Sequence, residues 1–573
     1  MEAGKRTISE IFNGSRVLEI PFFQRAYVWD NEQWARLLED MVEVSKSNKP
    51  YFLGSLILKQ QETSTGASSG DVRTLIDGQQ RLTTLNIFFK VLCLLMDRND
   101  LFDQRFRLVR DRKIALKHNH NDIEGFEELM HLTELIEIEN PAERYDHIKG
   151  AYNYFRNNIK VDDLDFFNII DNLMFVGIDL NRDEDEQQIF DTINSLGVRL
   201  TTAELLKNHF FGREDLDSYE RNWKSIFEKD SETKAFWDKE ITAGRTKREN
   251  IDLFFYSYLQ IKLQDKNINV KAEDKTKLGK FSGLFESYKE FMKTYHINKE
   301  EMIQEIREYA TVYRDNIDYT VVDRELGSEY GIDRINSLIF GLDTTAIIPF
   351  VLYVLKHSTP EEQKDVFMYL ESYIMRRIVA KSVNKGYNKL FSEELISNEI
   401  TTKEKLQELI SRKTDKTNAM PSDDDVEEGF KSSKLINKQT TGILYFIESK
   451  IRDTKKHSTA LLGLDRYSLE HLMPKKWENN WDTGLTEEEK YRRNNKLLTL
   501  GNLAIITSSL NTSIRDADWQ TKKNGRGDKK GLKEYASGLE TMNKYLEYDE
   551  WNESTIDERA EFLYEKAQSI WGT

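Results

Sequence analysis

Glu470 and His471 stand side by side in "YSLEHLMPKKW", with Pro474 three residues on. Asn502 follows in "GNL", thirty-one residues after the histidine, and Asn511 nine residues after that. Lys522 and Lys523 then open a lysine-rich stretch. Metal-assisted phosphodiester hydrolysis needs a set of this kind. An imidazole near neutral pKa takes a proton from water. A divalent cation neutralises the phosphate and stabilises the leaving oxygen. A carboxylate and an amide carbonyl are hard donors that suit Mg²⁺ better than zinc. A second amide can hold the loop that carries the histidine. The difficulty is geometrical, because neighbours on a regular strand point to opposite faces. Glu470 and His471 converge on one phosphate only if the strand ends or bends there, and Pro474 makes such a break reasonable.

A second cluster lies near the other end, in "LIDGQQRLTTL" from Leu75 to Leu85. Asp77-Gly78 turns the chain, and a helix is expected to start near Arg81. A helix N-terminus offers free N–H groups and partial positive charge to a phosphate. Arg81 adds a guanidinium fork. Gln79 and Gln80 can donate and accept toward a base edge or ribose, and Asp77 could hold a metal or a sugar hydroxyl. A hydrogen-bonded turn between strand and helix would use the same residues. Upstream, "IPFFQRAYVW" places Gln24, Arg25, Tyr27 and Trp29 on an extended segment before a helix. They are candidates for sensing DNA or a modified base by stacking and hydrogen bonding; the alternative is core packing, with Arg25 paired to an acid. No G-x-x-x-x-G-K-[ST] occurs, so Walker-type nucleotide chemistry is excluded.

The elements that must position these groups follow from periodicity and punctuation. Asp30 is expected to cap a helix from about Asn31. "YFLGSLILKQ" and "VRTLID" read as strands joined by the polar loop "QETSTGASSGD". Leu82, Leu85, Phe89, Leu92 and Met96 keep helical spacing. "FVGIDLNRDEDEQQIFDTINSLGVRLTTAELLKNHFF" reads as a strand, an acidic turn and two helices, the first ending at Gly197 and the second starting at Thr201 or Thr202. Residues 211–440 carry helical periodicity with long polar faces and read as a scaffold. The stretch 412–430, poor in apolar residues and containing Pro421, suits an exposed connection. "YSLEHLMP" is strand-like up to Pro474, and "KLLTLGNLAIITSSLN" is a second extended element.

A chain of 573 residues is too long for one core. We expect three segments, 1–210, 211–440 and 441–573. The single cysteine, Cys93, rules out a disulfide framework within the chain and a CxxC zinc knuckle, and its apolar setting predicts burial. There is no signal-peptide core and no apolar run long enough for a membrane span, so a soluble cytoplasmic protein is expected. The net charge of −16 argues against a basic surface overall. Residues 491–530 differ: nine Lys or Arg against three Asp give +6, which suits a face that tracks phosphates. A solvated charged helix would have the same composition.

"YSLEHLMP … LGNLAIITSSLN … K" resembles the His-Me finger (HNH) nuclease domain of the GmrSD group of Type IV, modification-dependent restriction enzymes. "IPFFQRAYVW", "LIDGQQRLTTL" and "QQIFDTINSLGVRLTTAELLK" resemble the GmrS-like domain of the same group, similar in fold to ParB/sulfiredoxin-type nucleotide-binding domains. The two ends match the two halves of one architecture in the expected order. The resemblance implies an α+β, mostly helical chain: a ParB-like α/β nucleotide-binding domain, a helical middle, and a C-terminal ββα-metal nuclease domain. It implies His471 as base, Glu470 as the metal-side acid, Asn502 as a brace, Asn511 as the second metal ligand, and Lys522 within the catalytic set. Many His-Me nucleases have Asp where this chain has Glu470, one methylene longer. Asp77, Gly78, Gln79, Gln80 and Arg81 would bind a nucleoside triphosphate and hydrolyse it. Mg²⁺ or Mn²⁺ would serve the nuclease, which would nick or cut modified phage DNA, and a homodimer would allow two breaks. The rival expectation is a ParB-like binding module whose C-terminal finger is a degenerate, non-cutting DNA clamp.

Overall fold

The computed structural model describes residues 2–572 except 22, 23, 25, 48, 62–70, 119–121, 139–146, 181–200, 212–214, 245, 453–460, 482, 483 and 537. The chain forms two compact units, Met1–Ser231 and Glu232–Thr573. It is α+β and mostly helical, as expected.

The first unit is built on a six-stranded mixed sheet. Its strands are β1 (Glu2–Thr7), β2 (Val17–Glu19), β3 (Tyr51–Gln60), β4 (Val72–Asp77), β5 (Leu116–Lys117) and β6 (Leu173–Leu180), in the order β1-β6-β3-β4-β2-β5. The segments read as strands, 51–60 and 72–77, are β3 and β4, paired antiparallel. Helix α1 (Asn31–Lys46) starts where Asp30 caps it; the carboxylate accepts from the Glu32 N–H at 2.9 Å. Trp34, Leu37, Met41 and Val44 form its buried stripe. Helix α2 (Gln79–Leu95) starts two residues before the expected position. Gly78 is the reason. It takes φ +102, and a Cβ there would lie 2.8 Å from Leu56 Cδ1, so the chain can turn straight into the helix. From Leu82 to Leu94 every residue of α2 is buried, Cys93 included. The periodic stripe read from the sequence is therefore one side of a helix that is covered all round. Leu56, Leu58 and Leu75 meet α2 in the main core, while Ile57, Ile76 and Leu180 form a small cluster on the other face of the sheet. Helix α3 (His147–Asn158) packs on α2. Helix α4 (Thr202–Phe210) starts at Thr201, whose side chain forms a capping box with Glu204. The helix expected to end at Gly197 lies outside the described residues.

The second unit opens with the helix Ser231–Trp237, passes through a hairpin, β7 (Glu240–Ala243) and β8 (Thr246–Glu249), and continues as helices. Those used below are α5 (Pro360–Val379), α6 (Asp423–Ser432) and α7 (Asn437–Ile451). Strand β9 (Tyr467–His471) follows, then α8 (Glu487–Lys496), β10 (Leu503–Thr507), α9 (Ser508–Ile514) and α10 (Trp519–Asn524). The unit closes with the short hairpin β11 (Gly525–Arg526) and β12 (Lys529–Lys530) and the long helix α11 (Glu553–Trp571).

Two sequence expectations need correction here. The stretch 412–430 is not a free connection. Arg376 and Arg377 of α5 are buried and need acceptors. Arg377 donates to Thr417 O at 2.7 Å and Ala419 O at 2.6 Å, and Arg376 to Pro421 O at 2.8 Å and Asp423 Oδ1 at 2.7 Å. Ser422 then caps α6. The segment is held by its own main-chain carbonyls against two guanidiniums, with Asp423 the one side-chain acceptor. Second, the extended element around "LAIITSSLN" is short. Leu500–Asn502 is a 3-10 turn and Ser508 onward is helix, so only Leu503–Thr507 is strand. Likewise β9 stops at His471, three residues before Pro474.

Helix α11 ties the unit together. It packs on α5, α6, α7 and the turn 500–502. At its end, Trp571 Nε1 donates to Glu371 Oε1 at 3.0 Å, and Glu371 also forms a bidentate pair with Arg334 at 2.6 and 2.8 Å. All three side chains are buried, so each charge has its partners where water cannot reach.

Candidate active site

Strand β9 pairs antiparallel with β10, His471 opposite Leu503 and Glu470 opposite Ala504. The ladder runs one step further, where the Leu472 N–H donates to Asn502 O at 2.9 Å. Alternation along an antiparallel pair then turns the carbonyls of Leu469 and His471 outward, away from β10. Asn511 Nδ2, on α9, donates to Leu469 O at 2.9 Å and to Ser468 Oγ at 3.2 Å. Lys522 Nζ, on α10, donates to His471 O at 2.7 Å. Beyond the strand, Asn502 closes a ring: its Oδ1 accepts from the Met473 N–H at 2.8 Å, and its Nδ2 donates to Met473 O at 2.8 Å and Leu497 O at 2.9 Å. Residues 469, 471 and 473 are thus held from three separate parts of the chain.

Sequence reasoning missed two residues that hold the holders. Trp551 Nε1 donates to Asn502 Oδ1 at 3.0 Å. Arg559 of α11 is buried and donates to Gly501 O at 2.9 Å, Leu503 O at 2.8 Å and Leu500 O at 3.3 Å, the carbonyls that flank Asn502. Their distance along the chain gave no local signal. Gly501 lets α11 approach, since a Cβ there would sit 2.1 Å from Ile556 O.

The His471 ring makes no hydrogen bond among the described residues. Burial first, and then the Lys475 and Lys522 ammoniums, push its pKa down to about 4, so the ring is neutral and able to accept a proton at pH 7. Glu470 is different. Its side chain is 5% exposed and ion-paired with Lys522, which is wholly buried. Burial pushes both toward their neutral forms, the carboxyl up and the ammonium down, and each charge pulls the other back. The register is regular, so Glu470 and His471 leave opposite faces of β9. The geometrical difficulty read from the sequence is therefore real. Asn511 has its nitrogen on the strand, which turns Oδ1 away from it. One amide oxygen, with water and a DNA phosphate, suits Mg²⁺ or Mn²⁺, which keep much of their hydration. Among the described residues no three His, Cys, Asp or Glu side chains gather as a metal-binding group.

The basic stretch is smaller as a surface than as a sum. Arg493 pairs with Glu553, Lys496 with Asp557, Lys530 with Glu534, and buried Lys523 donates to Tyr548 O at 2.7 Å. Arg526, at the β11–β12 hairpin, is exposed.

In the first unit, the structure gathers most of the other predicted residues at the mouth of α2. Asp77 Oδ2 accepts from Arg81 Nη2 at 3.1 Å and from Ser55 Oγ at 2.7 Å. Ser55, on the neighbouring strand, was not legible in the sequence. Arg81 lies against β3 at Gly54, where a Cβ would be 1.9 Å from Nη1. Gln80 accepts from the Val28 N–H at 2.9 Å and donates to Ala26 O at 3.1 Å. Gln24 donates to Leu75 O at 2.9 Å and Ile76 O at 3.0 Å. Tyr27 is 3% exposed, its hydroxyl shared with Thr84 at 2.6 Å and Trp34 Nε1 at 2.8 Å. Burial holds its phenol well above the ordinary range. Trp29 is half-buried against the core. These last four side chains pin segment 24–30 to the sheet and α2, which leaves the Tyr27 ring no face for a base. Gln79 is half-buried in the first turn of α2. Arg25 lies outside the described residues.

No helix among the described residues is long and apolar enough to cross a membrane. The N-terminal domain model of the GmrSD restriction endonuclease matches residues 8–211. The C-terminal domain model of GmrSD restriction endonucleases matches residues 420–566. No curated protein matches the chain.

Proposed function

The chain belongs to the GmrSD restriction endonucleases, enzymes of phage defence, and from that premise we propose that it hydrolyses DNA phosphodiesters at the end of β9, under control of a nucleotide bound at the mouth of α2. The support for the cleavage site is one observation: Asn511, Lys522 and Asn502 bind the main chain at residues 469, 471 and 473, around the only histidine of that segment. In this reading neutral His471 takes a proton from the attacking water. Asn502 fixes the loop after the histidine, and Asn511 offers Oδ1 to Mg²⁺ or Mn²⁺. When bound, that cation supplies charge neutralisation at the phosphate.

For the first unit we read Asp77, Gly78, Gln79 and Arg81 as the groups facing a nucleoside triphosphate, with Gln80 as a latch for segment 24–30. The partly exposed Asp77–Arg81 pair supports this, because a phosphate at the helix N-terminus would compete with Asp77 for the guanidinium. We read modified phage DNA as the substrate, the cytoplasm as the setting, and a homodimer as the assembly when both strands are cut. Purified protein should be incubated with unmodified, glucosylated, methylated and phosphorothioate DNA, with Mg²⁺ or Mn²⁺ and with or without each triphosphate. Nicks or breaks confined to one modified DNA, and changed by one triphosphate, are the expected products. Intact DNA in every lane would overturn the proposal.

A further inference from the structure

The Glu470 carboxylate and the Lys522 ammonium are both buried beside β9, and neither has an obvious duty in a site that holds its metal by Asn511. Lys522 is wholly enclosed, yet it reaches two groups: the carboxylate of Glu470 and the outward carbonyl of His471. An ammonium has three donors and no acceptor, so two of the three are satisfied by adjacent residues of one strand. Such a buried pair is costly to desolvate and contributes little net stability over apolar side chains of the same size, which makes geometry its more reasonable use.

We propose that Glu470 and Lys522 form a positioning pair, in which Glu470 holds the ammonium and the ammonium holds the His471 carbonyl, so that Glu470 sets the direction of the catalytic ring and is not a metal ligand. The proposal rests on the reading of His471 as the base. Two facts favour it. The Oε1 atom of the carboxylate is already ion-paired with the buried Lys522 ammonium. The bond to His471 O fixes the backbone at the one residue whose ring must meet the water. The extra methylene of Glu relative to Asp then lets the carboxylate meet an ammonium carried on α10 rather than a cation at the phosphate.

The test uses full-length protein, supercoiled DNA that the wild type nicks, and a Mn²⁺ titration. The variants are Glu470→Gln, Lys522→Met, the double Glu470→Gln/Lys522→Met, and His471→Ala as the control for the underlying reading. Single variants leave a buried charge alone and can fail to fold; the double variant removes both charges and keeps the volume. The expected result for every folded variant is a cleavage rate per folded molecule lowered about tenfold or more, with the Mn²⁺ midpoint within about twofold of wild type. The double variant should lose no more than the worse single one. With histidine-selective labelling, the His471 ring resonance should move in the double variant while those of the other histidines stay. A Mn²⁺ midpoint raised about tenfold by Glu470→Gln or by the double variant would make Glu470 a ligand and overturn the proposal. A double variant that cuts at the wild-type rate, or leaves the His471 resonance in place, would overturn it too. In both cases the reading of His471 stands if His471→Ala is inactive. A wild type that cuts no better than His471→Ala would defeat that reading itself.

Discussion

At the mouth of α2, two glutamines and a tyrosine are bonded to the strand, helix and segment around them; at the end of β9, two asparagines and a lysine are bonded to the strand that carries a histidine and to the residues just beyond it. The side chains are alike in kind. The difference lies in what is left over. In the first region the residual groups are a partly exposed Asp77–Arg81 pair, able to exchange partners. In the second the residual group is one imidazole, neutral and without a hydrogen bond among the described residues. Polar residues clustered in a sequence thus mark a place where main chain is being held. The function belongs to whichever group that holding leaves available.

The comparison can be broken by removing a holder from each side. Asn502→Ala deletes four hydrogen bonds in a buried loop and should lower cleavage about a hundredfold. It should also cost about 3 kcal/mol of stability, read from denaturant unfolding of the second unit. Trp571→Ala lies far along the chain from the histidine but removes a buried indole and a Glu371 partner. It should cost about 3–5 kcal/mol and take cleavage down with it. For the same reason a fragment of 441–573 alone, stripped of α5 and α6, should be recovered unfolded, as checked by circular dichroism. Gln80→Ala should cost about 1–2 kcal/mol, because it orphans the Val28 N–H, and should loosen segment 24–30 to hydrogen exchange. Arg81→Ala breaks a partly exposed pair and should cost at most about 1 kcal/mol while abolishing triphosphate hydrolysis. If Gln80→Ala and Arg81→Ala act alike on stability and on hydrolysis, the division between holders and residual groups is wrong.

The smallest effect is on pH. The folded pKa of His471, about 4, is below the ordinary histidine value of 6.5. The unfolded chain therefore takes up the proton first as pH falls. The stability associated with the neutral ring is complete above about pH 6.5 and is lost as pH falls toward 4. The rate should stay flat from pH 8 to 6, and its acid limb should lie well below 6.5, as a rate profile would show.

Local physics was legible where it was self-contained. Asp30 before Asn31 has the carboxylate that a helix start needs, and the runs 51–60 and 72–77, joined by a polar Gly/Ser-rich loop, read as the two strands they form. The resemblance implies Asn502 as a brace, and its side chain makes four hydrogen bonds in the turn after β9. What stayed hidden depends on residues distant in sequence. Lys522 meets Glu470 across fifty-two positions, Ser55 meets Asp77 across a strand pair, and Arg559 supports a turn fifty-eight residues upstream. The segment 412–430 looked like a linker because its composition is polar, yet its main-chain carbonyls answer two buried arginines that no local window contains. The +6 of 491–530 looked like a phosphate track, yet most of it is neutralised by acids outside the stretch.

The central claim is that the structure around residues 469–473 exists to present His471 as a base to a DNA phosphodiester. Single-turnover nicking by His471→Ala, with and without added imidazole, tests it most directly. The account predicts a loss of about a thousandfold, partly restored by imidazole, with DNA binding unchanged. Nicking by His471→Ala at the wild-type rate, or a loss traced wholly to weaker DNA binding, would contradict it.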